Sequence, residues 1–160
     1  MAERDEMIYA ARRIAEEIGI DPDTFVRLLY QESGLEHYSN KSPDGIKTSP
    51  VGAKGIGQLM PSTADYLAQK LSRITGTTIT RDQVIRDPMS NIRAAALYLK
   101  EKVDNFQGDY RSAIASYNAG ENAVRKHGID VVLSDQFAPM ADGRGQTRVF
   151  VENILGGSEI

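Results

Sequence analysis

The 160-residue chain contains no cysteine. Disulfides and thiolate metal sites are therefore excluded, and the redox compartment is left open. Long hydrophobic runs are also missing. No stretch approaches 18 apolar residues, so membrane insertion is not expected. The N-terminal "MAERDEMIYAARR" is charged and helical in pattern, without an apolar run of signal-peptide type. Positive charge is not in excess: 19 Lys and Arg against 22 Asp and Glu leave a net charge of −3. That balance argues against nucleic acid or an anionic membrane as partner. Histidine is scarce, with only His37 and His127. Neither has a partner at metal-ligand spacing. Both are expected at the surface without a role, and no metal or cofactor is expected. Repeats, low-complexity tracts and interdomain linkers are absent too.

What remains is an ordinary globular balance, 41% apolar and 26% charged. The length suits one domain with a real core, taken as residues 1–160. Helical periodicity dominates it. Met7, Ile8, Ala11, Ile14, Ala15 and Ile18 form one stripe, closed by Gly19. Asp21-Pro22 starts a second helix, with Asp21 as N-cap. Residues 34–57 read as a long loop, with "SPDG" as a turn and room for a short hairpin. "PSTADYLAQKLSRIT" is a third helix, with Ser62-x-x-Asp65 resembling a capping box. "GTTITRDQV" reads as loop or extended. Asp87-Pro88 opens another helix, with Ile92, Ala95, Ala96, Leu99, Val103 and Phe106 on one side. Two short helices broken near Gly120 follow. After a less regular stretch, a last helix carries Val151, Ile154 and Leu155. The fold class is mainly α.

One residue does not fit its pattern. Phe25, Leu28, Leu29 and Glu32 fall at i, i+3, i+4 and i+7, so an acidic side chain completes an apolar stripe. A glutamate near a helix end is commonly solvated, and that reading stands. The other reading is chemical. Burial raises a carboxyl's pKa, and the negative end of the helix dipole opposes ionisation further. A carboxyl that keeps its proton near neutrality is what general-acid cleavage of a glycoside requires. Periodicity alone does not choose between the two.

Four ordered motifs do bear on the choice. "QESGL", "SPVGAKGIGQLMPSTA", "AIASYNAG" and "QTRVFVENIL" together resemble the soluble lytic transglycosylases, of the goose-type lysozyme-like superfamily, over about Phe25 to Leu155. The resemblance implies a lysozyme-like domain with a substrate groove. It implies cleavage of the β-1,4 bond between N-acetylmuramic acid and N-acetylglucosamine in peptidoglycan, leaving a 1,6-anhydro end. Glu32 takes the place of the single catalytic acid and base, without metal. Ser33 is implied either to bond the substrate or to hold Glu32's surroundings. Gln58 is implied to bind a sugar amide or hydroxyl, or to hold its turn. The Gly55 and Gly57 backbone would approach a sugar closely, while Leu59 and Met60 belong to the core. The Tyr117 hydroxyl is placed within reach of the acid, and Asn118 binds substrate or ends its helix. Glu36 and Asp44 read as solvated loop charges.

The chain also departs from the family's pattern. Gly57 stands where Met is common, Gln146 where Glu is usual, and Phe150 where Tyr is usual. Gln146 keeps hydrogen-bonding capacity toward substrate and loses charge. "EHYSNKSPDGIK" looks like an insertion at the groove's edge. The expected partner is peptidoglycan glycan, met by a monomer acting on the bacterial cell wall. Without a signal-type segment, delivery by a phage, as a virion component, or as part of a larger protein is expected. Two other functions stay open: hydrolysis, as in goose-type lysozyme, and a non-catalytic glycan-binding or structural virion module.

Overall fold

A computed structural model describes residues 3–157 and residue 160. The expected domain of 1–160 therefore includes four positions, 1–2 and 158–159, outside the described residues. The chain resolves into two compact units, one running to Leu97 and the other beginning at Tyr98.

In the first unit, α1 spans Glu3–Ile18 and buries Met7, Ala11, Ile14 and Ala15. It packs against α2, Pro22–Ser33. The start of α2 is the expected one: the Asp21 carboxylate accepts from Thr24 N–H at 2.9 Å, and Pro22 needs no partner in the first turn. Its end is the expected one as well, with Gly34 left-handed at φ +69°. Phe25, Leu28 and Leu29 are fully buried. Burial of each such side chain contributes about 1.5–3 kcal/mol, which anchors the helix that carries Glu32.

The segment after α2 contains only isolated antiparallel bridges, Tyr38 with Ile46, Thr48 with Lys54, and Lys54 with Leu59. The Ser42–Gly45 turn forms, closed by Gly45 N–H on the Ser42 carbonyl at 3.0 Å. Next, α3 spans Pro61–Thr75. Its N-cap is Met60, which has no side-chain cap bond, so the expected Ser62–Asp65 capping box does not form. Proline at the first helical position removes one orphan N–H and supplies the start instead. In the stretch read as loop or extended, Thr80 caps a short helix, α4, Arg81–Arg86, which runs two residues past that stretch. Its hydroxyl accepts from Gln83 N–H at 3.1 Å. Six residues are too few for periodicity to detect.

Helix α5, Pro88–Asn105, contributes Ile92, Ala94, Ala95 and Ala96 to the first unit's core and Leu99 and Val103 to the second. The second unit adds α6 (Tyr110–Ala119), α7 (Glu121–His127), α8 (Ile129–Val132) and α9 (Gln146–Leu155). Helices α7, α8 and α9 each pack on α6. Gly120 separates α6 from α7 as expected. In α9, Val151 and Ile154 are buried while Leu155 is exposed. The fold is mainly helical, as expected.

Candidate active site

Glu32 is the penultimate residue of α2, half-buried at the helix's negative end. Burial pushes its pKa up to about 8. Among the described residues, desolvation is the cause of that displacement. The carboxyl thus keeps its proton at neutral pH and can give it to a leaving oxygen.

Ser33 is 2% exposed. Its hydroxyl is directed at two carbonyls, Leu29 at 3.0 Å and Ile56 at 2.7 Å. It ties the end of α2 to the Lys54–Leu59 turn. Lys47 adds a second tie, donating from Nζ to the Ser33 carbonyl at 2.6 Å. Gln58 sits in that turn at φ +49° and donates from Nε2 to the carbonyls of Gly55 at 2.9 Å and Lys47 at 3.3 Å. Leu59 is buried, but Met60 is 40% exposed and not part of the core.

The turn is held from its other side by residues for which no role was expected. His37 is 1% exposed, not a surface residue. Its Nε2 lies 3.0 Å from the Arg86 carbonyl, and its Nδ1 accepts from Ile56 N–H at 3.1 Å. Asn91 is fully buried. Its Oδ1 accepts from Gly57 N–H at 2.8 Å, and its Nδ2 donates to the Val84 carbonyl at 3.0 Å. The close approach that glycine permits at position 55 is to these two side chains. A Cβ there would meet Asn91 Nδ2 at 2.6 Å and His37 Cε1 at 2.7 Å, and φ is +78°. Asn91 lies four residues before Ala95 on the buried face of α5, the same kind of misfit that marked Glu32. His37 gave no such signal.

Beside the end of α2, Glu3 and Arg4 of α1 and the Gly34–Tyr38 segment line a cavity of about 350 Å³. Of the nearby carboxylates, Glu36 is exposed and lies 3.6 Å from Lys47. Asp44 is not a freely solvated charge. It pairs with Lys54 at 2.7 Å and accepts from Ile46 N–H, and these bonds hold its pKa below the usual carboxylate range.

In the second unit, Tyr117 and Asn118 are half-buried near the end of α6. The Tyr117 ring meets Tyr98 edge-on, with centroids 5.3 Å apart, and the Lys102 ammonium lies 4.1 Å from the Tyr98 centroid. Asn118 Oδ1 accepts from the Thr147 hydroxyl at 2.7 Å, which joins α6 to α9. Gln146 opens α9 and is exposed, whereas Phe150 is buried. Among the described residues, no helix is long and apolar enough to cross a membrane.

A mainly helical, lysozyme-like chain with a proton-retaining carboxyl at a helix end defines the class. Residues 10–131 match the Transglycosylase SLT domain, and the chain belongs to that family. It is 34% identical over 113 residues to the soluble lytic murein transglycosylase of Escherichia coli K12, covering 67% of this chain and 16% of the relative. A transglycosylase of Enterobacteria phage PRD1 is 39% identical over 75 residues, or 47% of this chain and 23% of the relative. The chain thus spans less than a quarter of the length of either.

Solved structures agree on the fold. Lytic transglycosylase Slt of Pseudomonas aeruginosa, solved as an inactive glutamate-to-glutamine mutant, superposes with a TM-score of 0.67 at 29% identity. The match covers 93% of this chain and 22% of that one. The 70-kDa soluble lytic transglycosylase of E. coli gives 0.67 at 25% identity, covering 92% and 22%.

Proposed function

We propose that the chain is a peptidoglycan lytic transglycosylase and that Glu32 is its acid and base. The single observation that carries this is a half-buried carboxyl held protonated near neutrality, in the family's catalytic sequence context. Glu32 protonates the glycosidic oxygen between N-acetylmuramic acid and N-acetylglucosamine as the bond to C1 breaks. The muramoyl acetamido group stabilises the developing cation, as in substrate-assisted glycosidases. Glu32, now a carboxylate, takes the proton of the muramoyl C6 hydroxyl, and O6 closes on C1. No water is consumed, and Glu32 ends protonated for the next turnover.

Ser33 holds the backbone behind Glu32, and the remaining expected contacts to glycan fall to Gln58, Tyr117, Asn118 and Gln146. One such domain extends over residues 1–160 and works as a monomer on the cell wall, delivered by a phage particle or as part of a larger protein. The similarity to a phage transglycosylase supports that setting. Glu32→Gln tests the assignment. Turbidity clearing of a peptidoglycan suspension should fall by at least about a thousandfold, with circular dichroism unchanged. Clearing close to that of the unmodified protein would remove Glu32 from the role.

A further inference from the structure

The reaction as proposed makes no use of His37, although its two bonds fix where its proton resides. The Arg86 carbonyl can only accept, so Nε2 carries the hydrogen. The Ile56 N–H can only donate, so Nδ1 presents its lone pair. The ring is therefore the neutral Nε2–H tautomer. A second proton would set N–H against N–H at a ring that is 1% exposed.

Ile56 is the pivot. Its N–H is held by His37 at 3.1 Å and its carbonyl by Ser33 Oγ at 2.7 Å. The next N–H, of Gly57, is held by Asn91. The turn therefore hangs between His37 and Asn91 on one side and the residue next to Glu32 on the other. We infer that His37 is a positioning residue for the proposed reaction: its neutral imidazole holds Ile56, and through Ile56 the Ser33 end of α2. Protonation of His37 releases the turn, and activity falls with it. This rests on the reading of Glu32 as general acid.

Burial, not the charges around the ring, sets the sign. Asp87, at the junction of α4 and α5, and Glu3 of α1 both favour the cation. Burial outweighs them and holds the imidazole below its usual 6.5. The remaining cations have other partners: Lys54 of the turn pairs with Asp44, Lys47 with Glu36, and Arg86 with Asp82. Tyr38 meets the ring edge-on at 5.0 Å, and Arg4 lines the adjacent cavity. A group whose folded pKa is depressed contributes stability that is present above the unfolded value. That stability is lost as pH falls from 6.5 through the folded value. A lone acid and base titrating near 8 has no acid limb of its own, so an acid limb below 6.5 is the signature of His37.

Two measurements test this. The first is ¹⁵N NMR of the unmodified protein, with amide exchange at Ile56 and Gly57 followed across pH 4 to 8. The neutral Nε2–H tautomer is expected above pH 6.5, and protection at both amides should fall as His37 titrates. The second is the pH profile of kcat and KM for the unmodified protein and His37→Asn, whose Oδ1 can accept from Ile56 without titrating. Unmodified kcat should fall about tenfold per pH unit on the acid side. His37→Asn should lose that limb and keep the alkaline one. An Nδ1–H tautomer, unchanged Ile56 protection through the titration, or a folded His37→Asn with the original acid limb would each overturn the inference. If His37→Asn does not fold, the NMR titration decides alone. If Glu32→Gln stays lytic, the catalytic reading fails, while the amide data still judge the clamp.

Discussion

Replacing Glu32 by Gln should make the protein more stable, and only on the alkaline side. The unfolded carboxyl titrates near 4.5 and the folded one near 8. A raised folded pKa means stability that is fully present below 4.5 and lost as pH rises through 8. Each pH unit between the two values is worth about 1.4 kcal/mol, so full conversion gives a loss of about 4 kcal/mol between pH 5 and pH 9. The carboxyl retains some solvent access, which screens part of this, and we expect about 2 kcal/mol. Urea denaturation of both proteins at pH 5, 7 and 9 measures it. The variant's advantage should grow by about 2 kcal/mol from pH 5 to pH 9 at a constant m-value. Other titrating groups, His37 included, are common to both proteins and cancel in the difference. A difference independent of pH, or an advantage that grows toward acid, would refute the claim that burial raises this pKa. The second outcome would mean a carboxylate stabilised by a partner.

Other substitutions probe the frame around Glu32. Gly55→Ala forces a Cβ against Asn91 and His37 at φ +78°, and should cost about 1–3 kcal/mol in urea while lowering kcat more than it raises KM. Asn91→Leu leaves Gly57 N–H and the Val84 carbonyl without their partner; thermal denaturation should show a loss of about 1–3 kcal/mol. Asp21→Ala removes the cap of α2 and should cost about 1 kcal/mol at pH 7. Its bonds to Thr24 hold the Asp21 carboxyl below the usual range, so the cost should shrink as pH falls through the folded pKa.

The helical fold was legible because its signals are local. Asp21-Pro22 and Gly34 bound α2 in the sequence as they do in the structure. Where a signal was short, the reading failed. The helix Arg81–Arg86 begins within a stretch read as loop or extended, and proline rather than a capping box starts α3. Glu32 was legible as a misfit in an apolar stripe, and Asn91 carried the same misfit unread. His37 could not be found that way. It lies in a segment without periodicity, and its burial depends on Ile56 and Arg86, 19 and 49 residues distant in sequence. The glycine at 55 was read as room for a sugar, yet the space is filled by His37 and Asn91. Sequence shows that a side chain is missing there, and only the packing shows what takes its place.

In the proposed reaction the proton that restores Glu32 comes from the sugar's own C6 hydroxyl rather than from water. Mass spectrometry of the fragments released from purified peptidoglycan tests it most directly. The expected products are muropeptides ending in 1,6-anhydro-N-acetylmuramic acid, one water lighter than hydrolysis products, and none from Glu32→Gln. Fragments with hydrated reducing ends, formed in a Glu32-dependent manner, would contradict it and make the chain a hydrolase.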